Sequence, residues 1–555
     1  MQYKEWMVVR TNHEYLQYIS KSLNITTPFA QVLISRGLKN IDEIYSFLNP
    51  SLELIDPYQL RGVLKAAEII KEAIKSKAKI FINGDYDADG LTGTALLYDF
   101  LKKLGADVTY HIPHRIHHGH GLSIASVSIA KSLGAKLIIT VDCGIRDFEA
   151  VSYAKSLGIE TIITDHHEPL KVGEEVTLPE ALSIINPKIS ENSQYLSLCG
   201  AGVAFLLIMA LNREIALEYL DLVTIGTYAD MVPLDTINRA LIKPGWTLIE
   251  NPIRESIRVL KEISGLNSNS LKGFHLSFCL IPKINAPGRV DNAQRVVNFL
   301  ISEDSSEINE LAHWLIQMNS VRQKIEEKTM EEIEEKIKRE FKDEPVVVLW
   351  GDWHPGITGT VSGKLMERFN RPVFIFSLQG EKAKGSARAP QGIDLQEILS
   401  RCKDLLIRFG GHKQAAGAVI YLKNLEEFRK RACNLMRNFE IKNILQLDAA
   451  VKISEVNERL VEEIRLLEPF GQGNREPIFG SKELNVLNFK KVGSNHIKMT
   501  LSQNSSVSYA VGFDMGDLEF EEGSSIDIAF TPAVNEWEGI RSLQLQLKAI
   551  RRSLK

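Results

Sequence analysis

The stretch Lys79 to Thr94, KIFINGDYDADGLTGT, decides how the rest of the chain is read. Ile80-Phe81-Ile82 is a short β-branched and aromatic run, the pattern of a buried strand. Three aspartates follow at alternate positions, Asp85, Asp87 and Asp89, closed by Gly90. From Thr94-Ala95-Leu96-Leu97 to Phe100-Leu101 apolar residues return at helical spacing. Three carboxylates therefore occupy a turn between strand and helix, and open α/β sheets bind ligands at the carboxyl ends of their strands. Such groups do not crowd unaided: at ~4 Å and an effective dielectric of about 20, each like-charge pair costs roughly 4 kcal/mol. They splay into water, keep protons, or are held by cations. For an isolated Asp-x-Asp the solvated turn is the simplest reading. An EF-hand is excluded, because its twelfth position needs a glutamate and has Leu96 here, and a strand stands where that motif has a helix.

Working outward, a βα rhythm continues from Lys79, with strands expected at Val108–Ile112, Leu137–Val141, Thr161–Thr164 and Leu182–Ile185. That alternation predicts a parallel, doubly wound sheet. The second of these four strands ends in Asp142 and the third in Asp165-His166-His167. Any one of these is a plausible helix cap. Three acidic or imidazole strand ends on one sheet edge favour a metal site. Further on, Tyr219–Ala229 reads as a buried helix ending in Asp230, which by itself would be structural.

Composition bounds the rest. With 555 residues, 44% hydrophobic, 25% charged and a net charge of −4, the chain is long enough for several domains and is not a uniformly basic nucleic-acid binder. Five scattered cysteines suggest neither a disulfide framework nor a zinc site. The N-terminus lacks a signal-peptide core, and no apolar run approaches the ~20 residues of a membrane span. These features predict a reducing, cytoplasmic setting. Residues 1–77 read as a helical, connective segment, and 291–341 as a long connecting helix whose mixed Glu and Lys suit a solvated surface. A second α/β unit spans 342–442, with strands at Val346–Leu349 and Val373–Phe376; its lack of Gly-Lys-Ser/Thr argues against a P-loop. Residues 447–555 carry short strands that predict a small OB-like barrel, where Lys490, Lys491, Lys498 and Trp537 are candidates for contact with a single strand.

These motifs, taken together, resemble the DHH phosphoesterase superfamily. The elements carrying the likeness are Asp87-Ala88-Asp89, Asp142, Asp165-His166-His167 and Asp230. The flanking segments Cys199–Phe205, Asp230-Met231-Val232-Pro233-Leu234, Asn285-Ala286-Pro287-Gly288-Arg289, and Gly410-Gly411-His412 with Ala415-Ala416-Gly417 are similar to its branch of single-strand-specific 5′ exonucleases, the RecJ family. The resemblance implies a DHH catalytic domain at 78–290, a smaller DHH-associated domain at 342–442 joined to it by the long helix, and a C-terminal OB-fold. It also implies a 5′ to 3′ exonuclease that hydrolyses single-stranded DNA to 5′-mononucleotides in recombination and repair, with an entrance too narrow for a duplex.

Carried over position by position, Asp87, Asp89, Asp142, His166 and Asp230 would hold two Mn²⁺ or Mg²⁺ ions, with Asp142 bridging; hard oxygen donors with imidazole suit those metals. Asp165 would orient an imidazole and His167 would face the scissile phosphate. Arg115, His120, Arg289, Ser386, Arg388, Gly411 and His412 would bind substrate, His120 at a position that stacks on DNA. Asn83 stands where many superfamily members place a metal-binding histidine, and the role of Asp85 is open. His114, His117, His118 and His120 also permit a separate metal reading or a simple loop. Candidate partners are a single-strand-binding protein and a helicase. The rival functions are a phosphoesterase for short oligoribonucleotides or small nucleotides, and an inactive DNA-binding scaffold.

Overall fold

The computed structural model describes residues 5–553 except 116–119, 174, 267–270, 341–343, 438, 440–443, 494 and 538–539. The chain forms two compact units: one of residues 56–232 and 244–441, the other of 1–55, 233–243 and 442–555.

In the first unit the strands β1 (Ile80–Asn83), β2 (Val108–His111), β3 (Leu137–Val141), β4 (Glu160–Thr164) and β5 (Ser183–Ile185) form one sheet in the order β2-β1-β3-β4-β5. Every pairing is parallel. Ile80, Phe81, Ile82, Ile138 and Ile139 are fully buried, as expected of central strands covered on both faces. The chain winds from β1 outward to β2 and returns past β1 to β3. The crevice of such a sheet therefore opens at the carboxyl ends of β1 and β3, where Asp85–Asp89 and Asp142 stand.

Helix α1 (Ala88–Lys103) leaves that turn, and α2 (Gly200–Leu211) and α3 (Leu220–Ala229) pack against it. Both α2 and α3 are buried nearly all round, which their unbroken apolar sequences require. Helix α4 (Ser305–Glu340) is 36 residues long. It is less solvated than its charges suggest: Ile308, Leu315, Ile333 and Ile337 are buried, and Glu326 is only 2% exposed, accepting from Arg322 at 2.9 Å and paired with Lys364.

A second sheet contains β6 (Val347–Gly351), β7 (Val373–Gln379), β8 (Lys382–Arg388), β9 (Leu406–Gly411) and β10 (Ala415–Tyr421), in the order β9-β10-β8-β7-β6. Only β6 and β7 run parallel; the remaining pairs are antiparallel. Helix α5 (Thr358–Phe369) lies against β7 and β8. Gly385, Gly410 and Gly411 lie within strands rather than in turns.

The second unit contains the barrel. Its strands β11 (Phe479–Val492), β12 (His496–Gln503), β13 (Ser506–Gly512), β14 (Ser525–Trp537) and β15 (Ile540–Arg552) pair in the order β11-β12-β13-β15-β14, and β14 closes back on β11. Closure removes the sheet edges, and β13 with β15 is the one parallel pair among these barrel strands. The expected 1–77 segment is divided. Its first 55 residues belong to this unit, where Phe29, Val32, Ile44 and Phe47 share a core with Leu460, Phe479 and Phe530. Glu5–Val8 adds a strand parallel to Ile444–Leu447. The sequence shows helical periodicity here but nothing that names the partner.

Candidate metal and phosphate site

Asp87 is the N-cap of α1, its carboxylate accepting from the Asp89 and Gly90 amides at 3.1 Å. Asn285 accepts from the next amide, Ala88 N–H, at 2.7 Å. Asp89 accepts from Gly200 N–H at 2.6 Å and Ala201 N–H at 2.8 Å, so the positive end of α2 points at its carboxylate. Glycines permit this approach. A Cβ at Gly200 would lie 2.5 Å from Asp142 Cβ, and one at Gly226 would lie 2.8 Å from Asp89 Oδ1. Asp142 follows β3 with φ +61°, a left-handed conformation that costs a non-glycine residue on the order of 1 kcal/mol or more.

His166 Nε2 lies 3.2 Å from Asp142 Oδ1, 3.6 Å from Asp230 Oδ2 and 3.9 Å from Asp89 Oδ2. His167 Nδ1 is 2.8 Å from Asp165 Oδ1, which also accepts from the His166 and His167 amides, while Asp165 Oδ2 accepts from Ile145 N–H at 2.9 Å. Among the described residues, three sets of donor atoms lie within 4.8 Å of one another: Asp89, His166 and Asp230; Asp142, His166 and His167; and Asp85, Asp87 and Asp142. Asp85 thus joins a donor set, a placement the sequence leaves open. Its Oδ1 is 3.0 Å from Nδ1 of His120, so His120 stands beside the carboxylates. Asn83 is fully buried, with Nδ2 3.4 Å from Gly121 O and 3.7 Å from Cys143 Sγ. His114 belongs to none of these donor sets, and His117 and His118 lie outside the described residues.

The electrostatics disfavour four bare carboxylates, which keep protons unless cations hold them. Burial and then neighbouring carboxylates push Asp142 and Asp230 well above the ordinary carboxylate range. Asp87 and Asp89 are raised as well, chiefly by burial. Asp230 also caps the C-terminal end of α3, the negative pole of that helix. Burial lowers His166 to about 4, leaving it a neutral imidazole fit to donate a lone pair. Burial opposes the charge on His167 too, but the Asp165 hydrogen bond and charge raise it to about 9. Asp165 is correspondingly held below the usual range, although burial alone would raise it. Asp142 Oδ1 is buried and accepts no well-formed hydrogen bond among the described residues, while the buried Asp85 Oδ1 faces only the His120 ring. Crowded hard oxygens with a neutral imidazole and unused lone pairs fit divalent Mn²⁺ or Mg²⁺.

A cationic group lies beside this cluster. The Arg115 guanidinium sits 5.1 Å over the Tyr86 ring. Arg289 donates to Gly356 O at 3.1 Å, Arg388 to Ala387 O at 2.9 Å, and Ser386 Oγ is 3.0 Å from Thr358 Oγ1. Burial and then the Arg115 charge depress Arg289 to about 10, and the same two causes lower Arg388, Lys384 and His354. Tyr86 joins the two groups: burial and Asp85 raise its hydroxyl, while Arg115 and Arg289 act against them. Gly411 and His412 line a cavity of about 200 Å³ together with His120, Asp165 and His167. Sequence reasoning missed Asn285, Tyr86, His354 and Lys384 as neighbours of the site. Asn285 was detectable only as part of its motif, since its partner is 197 positions earlier in the chain.

In the barrel, Lys490 and Lys498 face one another across β11 and β12, and Lys491 is paired with Glu519 at 2.9 Å. The Trp537 side chain lies outside the described residues. No described helix is long and apolar enough to cross a membrane.

A parallel sheet with acidic strand ends, a second sheet supplying cations and a closed barrel define a DHH-type phosphoesterase. Residues 79–227 match the DHH family N-terminal domain, 343–438 the DHHA1 domain and 447–549 the RecJ OB domain. The chain belongs to the RecJ family. It is 36% identical to the single-stranded-DNA-specific exonuclease RecJ of Bacillus subtilis, over 98% of this chain and 70% of that one. To the RecJ of Escherichia coli it is 34% identical, over 92% and 93%. Its fold matches the crystal structure of Thermus thermophilus RecJ in complex with Mn²⁺ at a TM-score of 0.86 and 30% identity, covering 99% of this chain and 80% of that chain. A structure of the same enzyme with Mg²⁺ matches at 0.80 and 28% identity.

Proposed function

We propose that this chain hydrolyses single-stranded DNA from the 5′ end, releasing 5′-mononucleotides in recombination and repair. The observation that carries this reading is the meeting, at Tyr86, of a buried carboxylate cluster and the cations Arg115 and Arg289, whose charges oppose those of Asp85 and Asp87 there. Asp87, Asp89, Asp142, His166 and Asp230 would hold two ions. Asp142 occurs in two of the donor sets, which supports a bridging role, and Asp85 joins one of them. When bound, the ions supply Lewis acidity that activates a water and offsets charge on the leaving oxygen.

The protein's own groups do the rest. Asp165 fixes the His167 ring, favours its protonated form and turns it toward the scissile phosphate. Arg115, Arg289, Ser386 and Arg388 hold a terminal phosphate, and the His120, Gly411 and His412 cavity lies alongside. A cytoplasmic setting, and docking of a single-strand-binding protein or a helicase, belong to the same reading.

The test offers the purified protein Mn²⁺ and an internally labelled long single strand with free or blocked 5′ ends, beside a dinucleotide. Fast loss of the free-ended strand, with slower loss of the blocked strand, is expected. Loss of the dinucleotide alone would favour a phosphoesterase for short oligonucleotides, and no cleavage of either would favour a scaffold.

A further inference from the structure

The face of the second sheet that carries Ser386 and Arg388 extends beyond them. On β8, Ala383, Gly385 and Ala387 are buried, and Ala383 and Ala387 pack in the core beneath with Phe374 and Phe428. Lys382, Lys384, Ser386 and Arg388 alternate onto the opposite face. The antiparallel register shows what stands beside each of them. Ser386 pairs with Gly417, and Gly417 with Gly410. Lys384 pairs with Val419, and Val419 with Arg408; the next row is Lys382 with Tyr421. That face therefore carries, in successive rows, Arg388 beside Ala415, Ser386 beside Gly417 and Gly410, Lys384 and Arg408 on either side of Val419, and Lys382 beside Tyr421, with α5 against the Arg388 and Ser386 end.

Two features mark this face as more than solvated sheet. The first is the bare floor. A Cβ at Gly410 would meet nothing within 4 Å, and one at Gly417 only the Gly385 carbonyl at 3.6 Å. Packing does not require glycine at either place, and their absence of side chains leaves a flat strip of backbone that a polyanion can approach. The second is charge of one sign. The charged neighbours bearing on Lys384 are Arg115 and Arg408, both cations, and with burial they lower its pKa. An ammonium set among like charges is satisfied by an anion.

Resting on the function proposed above, we propose that Lys384 and Arg408 form a further phosphodiester subsite, one row beyond Ser386 and Arg388, for the backbone of a single strand. Two residues of strand rise separate the rows by about 6.7 Å, a step that successive phosphates of one strand bridge. Tyr421, 40% exposed with Lys382 at 5.8 Å from its ring centre, offers the following row a stacking surface.

The experiment compares the full-length protein with Lys384→Gln/Arg408→Gln and, separately, Gly410→Val. Binding of a labelled thymidine strand in EDTA is followed by anisotropy across a salt series, and hydrolysis in Mn²⁺ is measured in parallel. One phosphate contact removed from a single strand should lower the slope of log affinity against log salt by about 0.7. KM should rise severalfold with kcat at saturation unchanged, a split that general loss of structure would not give. Gly410→Val should keep the melting temperature and weaken binding by blocking the floor. A double variant with the wild-type slope and KM overturns the subsite. Failure of the wild type to cleave any strand would instead overturn the proposed function, while the salt series still reads the subsite.

Discussion

At the scale of single residues, the site is built from groups that no fold would bury for stability alone. Asp142 combines left-handed backbone, full burial and a carboxylate oxygen with no hydrogen-bond partner among the described residues, so its replacement removes a functional group and a buried charge together. Asp142→Ala is expected to reduce hydrolysis of a labelled strand to background and to weaken Mn²⁺ binding measured by calorimetry, with no loss of melting temperature; retained turnover would refute a bridging role. Asn285 satisfies the amide of Ala88, which lies between Asp87 and Asp89 in the chain. Removing such a supporting group costs about 10–100-fold in metal affinity or activity, so Asn285→Ala should fall in that range and Asn285→Asp should recover part of it. Arg115→Ala should raise KM for 5′-phosphorylated strands more than for 5′-hydroxyl strands.

At the scale of elements, the site depends on three helix ends meeting at one sheet edge. The N-terminus of α2 can reach Asp89 only because residue 200 lacks a side chain. Gly200→Ala forces a carbon into contact with Asp142 and should cost about 1–3 kcal/mol of stability, read as a lower melting temperature, with weaker Mn²⁺ binding. Gly363 in α5 is the control. A Cβ there meets only Arg388 Cγ at 4.0 Å, so Gly363→Ala should be neutral or stabilising by up to about 1 kcal/mol. Strands β1, β3 and β4, and helix α3, were legible because burial forces unbroken apolar runs into the sequence. The buried side of α4 was not, since a polar surface and a partly buried amphipathic face use the same Glu and Lys spacing.

At the scale of the whole molecule, charge couples metal to stability. Asp87, Asp89, Asp142 and Asp230 are raised above the ordinary carboxylate value of 3.8, so at these four positions the folded metal-free chain binds more protons than the unfolded chain, outweighing the opposite shift of His166. Stability from these groups is complete below that value and is lost as pH rises through their folded pKa values. The metal-free protein should therefore melt lower as pH rises from about 4 toward neutrality, and Mn²⁺ should raise the melting temperature more at pH 7 than at pH 5, because binding displaces those protons. Melting temperatures independent of both pH and Mn²⁺ would count against the metal site. The first 55 residues contribute core to the barrel unit, so deleting them should leave residues 442–555 without a cooperative melting transition.

The sequence by itself determined the strand ends, the spacing of their acidic and imidazole residues and the order of three domains, because periodicity and motif spacing are local properties of the chain. Only the tertiary structure decided which of those residues meet. It placed Asp85 in a donor set, His120 beside the carboxylates and Asn285 under the catalytic turn. It also gave the N-terminal helices their barrel partner and aligned Lys384 with Arg408 across an intervening strand. These contacts join positions tens to hundreds of residues apart, and they are set by sheet order, strand register and close packing at glycine, none of which leaves a periodic mark in the chain.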